Sequence, residues 1–408
     1  MKSSSKIPQM ANIIKKFLLF ITVFRRYSKI AWHKKSRCDV LIYDAEGSDI
    51  ILQCIPIGIP TVVLRVREGI PLIKSGLFFA LILIGIIKYK NLNQARHYAL
   101  IKIMMPKIII TYIDNCPFPY VIKEIFPDIQ IMAVQNGTRW DFSRPDSAIF
   151  NFDHYFCFGL VEADIMSRSG NNVKHLYPIG SVRLGIFKDI NPQNNELYCD
   201  ICHISQYAPL PYEIEPQWMY KCLMAYYETE KKLFNIIAEF AAKNKLSLCV
   251  AMRYSSEFDC FEEECKYFAC NANRNIRYIE QAPFSSYNAG QTSRLITTIS
   301  STLGYEMLGL GKRVIFAKDI ALVKNIVMLG SWEKPLITHK LPDLQRLHHL
   351  DYSEFNVKAT ALLEMTDEVY VNYSEKARDY YMNYNNQQKP NEIIKSKINQ
   401  YLLPSNEY

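Results

Sequence analysis

No apolar run in this sequence reaches the roughly 20 residues that a membrane-spanning helix needs. The two longest candidates are the centre of residues 11–33, from Phe17 to Phe24, and residues 75–87, SGLFFALILIGII. The first has basic residues ahead of its apolar centre, as a secretory signal does, but no small-residue cleavage site follows Arg25 and Arg26, so it reads as retained. A helix on the inner leaflet and a helix docked on the core both fit it. The second has the length of a buried helix. The sequence also lacks any repeat of fixed period, and its 11 cysteines form no regular framework, which reads as reduced thiols in a cytosolic protein without a zinc site. Outside the first 35 residues the basic side chains do not interleave with aromatics along one predicted face, which argues against a nucleic-acid partner.

What is present is a globular composition, 49% apolar and 22% charged, in a chain of 408 residues, long enough for two domains. The net charge of +8 comes partly from Lys15, Lys16, Arg25, Arg26, Lys29, Lys34, Lys35 and Arg37, and points to anionic partners.

Short Ile/Val-rich runs alternate with helical-period stretches. CDVLIYDAEG (38–47), TVVLRVREG (61–69), KIIITYIDN (107–115), IQIMAVQNG (129–137), HYFCFG (154–159) and VKHLYPIGS (173–181) read as one parallel sheet. After the polar stretch 185–196 the pattern restarts with YCDICHISQ (198–206), a long helix from Pro216 to Asn244, LSLCVAMR (246–253), IRYIEQA (276–282), RLITTISS (294–301) and RVIFAK (313–318). The expected fold is α/β, two Rossmann-like domains facing a cleft. Its divisions are a basic amphipathic segment at 1–37, a first domain at 38–190, a second at 191–385, and a terminal helix at 386–408, opened by Pro390, that suits a return to the first domain.

In such folds ligands bind beyond the carboxyl ends of the strands. The stretch TTISSTLGYEMLGLGKRVIF (297–316) places Ser300, Ser301 and Thr302 where a strand ends and a helix begins, at the positive end of the helix dipole, an anion site. Glu306, four residues on, shares a helix face with Thr302 and could accept hydrogen bonds from a ribose diol. A plain helix cap explains the same hydroxyls without a ligand. Gly304 suggests close approach by backbone or ligand, or helix-to-sheet packing, and Gly311 a helix stop.

STLGYEMLGLGKRVIF resembles the nucleotide-binding strand–turn–helix of bacterial surface-carbohydrate biosynthesis proteins, glycosyltransferase-like proteins of GT-B architecture. YIDN (112–115), VQNGTR (134–139), PIGSVRLG (178–185), DICHISQY (200–207) and SSY (285–287) match the same family in order, so the resemblance spans roughly residues 38–320. It implies transfer of a sugar from a nucleotide-activated donor onto a lipid-linked or oligosaccharide acceptor of a surface glycan such as O-antigen or capsule. The donor, for which a CMP-linked Kdo-like sugar is one option, would lie on the second domain. There Ser300, Ser301 and Thr302 would meet phosphate and Glu306 the ribose, with Ser205 and Gln206 in the same cleft and Arg253 on the leaving phosphate. A surface ion pair is the plainer role for Arg253.

The transferred proton needs a base, and first-domain carboxylates at strand ends, Asp114, Asp44 and Glu46, are the candidates, each equally explained as a helix cap. Asn136 and Arg139, with Trp140 behind them, are candidate acceptor contacts, although Asn136 and Gly137 also suit a tight turn. Related transferases carry a histidine after the corresponding strand, which leaves the base open. His154, His175 and His203 read as packed histidines. No DxD pair is present to hold Mg²⁺ against a diphosphate, so no metal and no cofactor are expected. An epimerase of the same fold and a non-catalytic binding subunit of envelope assembly are the alternatives. The placement expected is cytoplasmic, with the inner face of the inner membrane as a further partner of the basic amino-terminal segment.

Overall fold

The computed structural model describes residues 30–34, 36–89, 91–116, 118–138, 151–169, 171–190, 199–209, 217–269, 275–317, 340–384 and 388–402. Strands β1 (Ile30–His33) and β4 (Ile70–Ile73) form a small parallel pair. The other eleven strands lie in two parallel sheets. β2 (Val40–Ile42), β3 (Thr61–Val63), β5 (Ile108–Thr111), β6 (Gln130–Val134), β7 (Asn151–Cys157) and β8 (Asn172–Pro178) run in the order β3-β2-β5-β6-β7-β8. β9 (Ile201–Ile204), β10 (Leu248–Ala251), β11 (Ile276–Ile279), β12 (Leu295–Thr298) and β13 (Arg313–Phe316) run in the order β11-β10-β9-β12-β13. The central strands are buried along their whole length, as Ile/Val runs covered on both faces must be.

The helices are α1 (Ser48–Leu52), α2 (Gly76–Tyr89), α3 (Leu92–Met104), α4 (Phe118–Ile125), α5 (Val161–Ser169), α6 (Val182–Ile190), α7 (Gln217–Lys243), α8 (Cys260–Phe268), α9 (Ser285–Gln291), α10 (Thr302–Gly309), α11 (Tyr352–Glu364), α12 (Asp367–Tyr381) and α13 (Pro390–Leu402). This is the expected α/β architecture of two Rossmann-like sheets. In each sheet the strand order reverses once, between β2 and β5 in the first and between β9 and β12 in the second. Helices flanking such a reversal diverge to opposite faces and leave a crevice at the carboxyl ends of the strands.

The two halves are joined by more than one chain crossing. A single apolar cluster includes Ile109, Leu184 and Phe187 of the first half with Tyr305, Met307 and Leu308 of the second. After α12 the chain passes back: the Asn383 amide donates to the Phe158 carbonyl at 2.7 Å, and the Tyr384 hydroxyl donates to the Ser181 carbonyl at 3.0 Å. α13 then packs on α6, and the Tyr401 hydroxyl meets His154 Nε2 at 2.9 Å. His154 also stacks on His175, and His203 pairs with the Thr297 hydroxyl at 3.0 Å, so His154 and His203 are packed histidines as expected, while His175 stands exposed beside the ring it stacks on.

Gly304 serves helix-to-sheet packing, since a Cβ there would stand 2.7 Å from the Thr298 methyl and 3.0 Å from the Phe316 ring. Gly311, at φ +78°, ends the α10 turn. Two expectations are corrected. Cys199, just ahead of β9, is paired with Cys249 of β10 in a disulfide, whereas all thiols were expected to be reduced. Residues 75–87 are not a buried helix: α3 covers one side of α2, and Leu77, Ile84 and Ile87 remain about half exposed or more on the other.

Candidate functional site

Two cavities open at the strand-order reversals. The first, about 540 Å³, lies where β9 and β12 diverge and is lined by Ser205, Gln206, Glu230, Arg253, Ser300, Ser301 and Thr302, with Thr138 arriving from the first domain. All six residues read from the sequence as phosphate-side donor contacts therefore share one wall. Gln206 ties the two strand ends together. Its Oε1 accepts from the Ser300 amide at 2.6 Å and the Thr298 hydroxyl at 3.3 Å, and its own amide donates to Glu230 at 2.5 Å. Beneath Ser205 and Arg253 lies the buried Glu264. It accepts from the Ser205 hydroxyl, from the Arg253 amide at 2.9 Å and from the Tyr254 amide at 3.1 Å, and burial holds its pKa above the ordinary carboxylate range. That network fixes the backbone on which Arg253 stands.

Ser301 is the N-cap residue of α10, yet its side chain makes no capping hydrogen bond. Its amide donates to Thr298 and the Ser300 amide to Gln206, so the Thr302 and Leu303 amides, at the positive end of α10, are the ones left to face a ligand. Capping alone does not explain the hydroxyls. Arg253 is exposed, spends one Nη on the Tyr207 carbonyl at 3.1 Å, and has no carboxylate partner among the described residues. A surface ion pair does not explain it either.

The second cavity, about 610 Å³, spans the domains. Asp49, Tyr112, Asn136 and Arg183 line it from the first domain, and Phe258, Phe284, Tyr287 and Glu306 from the second. Thr302 borders both cavities, and its hydroxyl accepts from the Thr138 amide at 3.1 Å. The 136–138 turn, pinned below by Gln135, whose Nε2 donates to the Gly137 carbonyl at 2.9 Å and to Glu162 at 2.5 Å, thus closes over the start of α10.

Glu306 lies in the floor of this second cavity, 3% exposed. The Ser181 hydroxyl donates to one carboxylate oxygen and the Tyr287 hydroxyl to the other at 2.8 Å. Burial pushes its pKa up to about 7, with Ser181, Tyr287 and the Arg183 guanidinium drawing it partly back. A carboxylate offers about four acceptor positions, so two taken positions leave room for a ligand hydroxyl.

The three carboxylates read as bases do not line either cavity. Asp114 is 1% exposed and accepts from the Tyr155 hydroxyl at 2.9 Å. Asp44, 3% exposed, pairs with Arg67 Nε at 2.9 Å, and Glu46 closes on the same guanidinium. Neither caps α1, whose N-cap position is Gly47. Arg139 and Trp140 lie outside the described residues. Sequence reasoning passed over Asp49, Tyr112, Arg183 and Tyr287, although YIDN, PIGSVRLG and SSY contain the last three.

The first cavity lies inside a recognisable sequence segment. Residues 132–330 match a family model described as "putative O-antigen biosynthesis protein". The match agrees with the resemblance to surface-carbohydrate biosynthesis proteins, and it takes in every donor-side residue while excluding Asp44, Glu46 and Asp114. No curated protein matches the chain in sequence. Among solved structures, MnaA of S. aureus, determined with UDP, is similar at a TM-score of 0.51 and 13% identity, over 91% of this chain and 97% of that one. The wall teichoic acid polymerase TagF has a TM-score of 0.49 at 11% identity, over 98% and 100%. The UDP-GlcNAc 2-epimerase of Methanocaldococcus jannaschii, in complex with UDP-GlcNAc and UDP, has a TM-score of 0.49 at 12% identity, over 90% and 100%. The fold is the GT-B arrangement of two Rossmann-like domains.

Proposed function

We propose that this chain is a glycosyltransferase that moves a sugar from a nucleotide-activated donor onto a lipid-linked or oligosaccharide acceptor in surface-polysaccharide synthesis. The observation that carries this reading is the uncapped start of α10, open to two joined cavities at a strand-order reversal, with no acidic partner for Arg253 among the described residues. The diphosphate lies over Ser301 and Thr302, held by the free amides, the helix dipole and the Arg253 fork, which serve here without a metal ion. The nucleoside runs along α10 into the second cavity, its ribose at Glu306 and its base against Phe284 and Tyr287. The sugar faces the 136–138 turn.

Glycosyl transfer also needs a group to accept the acceptor proton. Asp114, Asp44 and Glu46 are engaged elsewhere, and Asp49, a first-domain carboxylate that lines the second cavity, takes that role. MnaA, a solved relative in fold, carries UDP, which is consistent with a nucleotide donor. A cytoplasmic location follows from a donor of this class.

A nucleotide-sugar epimerase is the second reading, favoured by one observation: two carboxylates, Asp49 and Glu306, line the same cavity, as acid/base work on both faces of a sugar would need. Product analysis with and without acceptor separates the two.

The proposal is tested by a thermal-shift screen against UDP-, GDP-, dTDP-, CDP- and CMP-linked sugars. One class is expected to raise the melting temperature, since ligand at about 100 times its Kd adds about 2.7 kcal/mol of stability. Arg253→Ala is expected to reduce that shift. A flat response to all five sinks the donor site.

A further inference from the structure

We propose that the outward face of α2 is a docking surface for an anionic lipid bilayer. α2 is a helix of 14 residues whose only charged side chain is Lys88, next to its end. Its inward residues Phe78, Ile82 and Gly85 are buried against the molecule. Leu77, Ile84 and Ile87 stand on the opposite side at 50%, 51% and 63% exposure, in the i, i+7, i+10 spacing of a single stripe, and Ala80 lies exposed between them. An ordinary surface helix carries charged or polar residues on that stripe. This one carries none.

Charge identifies the occupant. Between Glu68 and Asp114 the sequence has no Asp or Glu, while it has Lys74, Lys88, Lys90, Arg96, Lys102 and Lys107. Lys74, Lys88 and Lys102 are exposed, at the two ends of α2 and on the neighbouring α3. The Lys88 ammonium lies 5.0 Å from the Tyr89 ring centroid, and that of Lys102 lies 5.9 Å from the Tyr98 centroid, so basic and aromatic side chains sit together at one end of the apolar stripe. Apolar stripe, basic rim and amphipathic aromatics form the pattern of a helix lying in a bilayer interface. A second copy of this chain would bring the same positive rim against itself, whereas an anionic lipid surface complements it.

Length sets the mode. α2 measures about 21 Å, short of the roughly 30 Å hydrocarbon core, so it lies in the plane of the membrane. Among the described residues no helix is long and apolar enough to cross a membrane. β1 pairs with β4, which leads through Lys74 into α2, and residues 1–29 ahead of β1 carry Lys15, Lys16, Arg25 and Arg26 in their sequence.

The test is co-sedimentation of the full chain with vesicles of phosphatidylcholine alone and of phosphatidylcholine with about one-third phosphatidylglycerol. The protein is expected to partition onto the anionic vesicles and not onto the neutral ones. Ile84→Asp with Ile87→Asp is expected to lower that partitioning at least about tenfold. Lys88→Gln and Lys102→Gln are expected to lower it about fivefold each. All these positions face outward, and an unchanged melting temperature shows that the variants fold. The proposal is overturned if the aspartate pair partitions like the parent, which would assign binding to residues 1–29. It is also overturned if no vesicle binds, or if the parent is a dimer that the aspartate pair converts to monomer without any vesicle dependence.

Discussion

Arg253→Ala is expected to lower turnover by about 10²–10³-fold, the range seen when one preorganised donor to a developing negative charge is removed. The reason is positional. Glu264 holds the Arg253 backbone from below, the Tyr207 carbonyl takes one Nη, and the rest of the fork points to the cavity with no acidic partner among the described residues. Its charge is therefore available to the leaving phosphate, with no ion pair to break first. Arg253→Lys keeps the charge and loses the planar fork, and should fall between parent and alanine. Steady-state rates with the donor found in the thermal-shift screen check this. Rates within about threefold of the parent for Arg253→Ala would remove Arg253 from the leaving-group role.

The second large effect concerns the seam between the domains. Burial raises the pKa of Glu306 in the folded protein to about 7 from an ordinary 4.5. Below about pH 4.5 the carboxyl carries its proton in both the folded and unfolded chains, and its stabilising contribution is fully present. As pH rises through 7 the folded protein must ionise a carboxyl buried between Ser181 and Tyr287, and that contribution is lost, on the order of 3 kcal/mol. Glu162, pushed by burial to about 8, acts in the same direction at slightly higher pH. Urea unfolding at a series of pH values should therefore show stability falling from about pH 5 to about pH 8, and Glu306→Gln should flatten part of that slope. Glu306→Ala should cost about 2–5 kcal/mol at pH 6, because it strands two buried hydroxyls on opposite domains. An unchanged pH slope in Glu306→Gln would show that the carboxyl is already ionised in the folded state.

The strands of both sheets were legible because central strands of a parallel sheet must be apolar along their whole length, and IIIT (108–111) or LCVA (248–251) has little alternative. β1 and β4 were not. IAWH and IPLI are four residues long, and Pro71 in the second has no amide for a ladder, so neither stands out from loop. α2 was misjudged because length separates a span from a shorter helix but does not say how many sides a neighbour covers. That Ser205, Gln206, Arg253 and Ser300 to Thr302 share one wall was legible for a topological reason: residues just past β9, β10 and β12 converge where the strand order reverses between β9 and β12.

The carboxylates were not legible, because every α/β strand end offers several, and the one that turns into the cleft is decided by partners far away in sequence. Tyr155 takes Asp114, and Arg67 takes both Asp44 and Glu46. Asp49, one turn further on, is left facing the cavity. Glu306 was placed correctly on the face of Thr302, but its contact with Ser181 depends on how the two domains meet, which no local pattern encodes.

Central to this account is that a nucleoside diphosphate seats its phosphates on the first turn of α10. The measurement that bears on it most directly is a crystal structure of the protein soaked with the diphosphate whose sugar conjugate raises the melting temperature. The predicted result is phosphate oxygens within hydrogen-bond reach of the Thr302 and Leu303 amides, with a ribose hydroxyl on Glu306. Phosphate density at any other place, with the start of α10 unoccupied at saturating ligand, would contradict it.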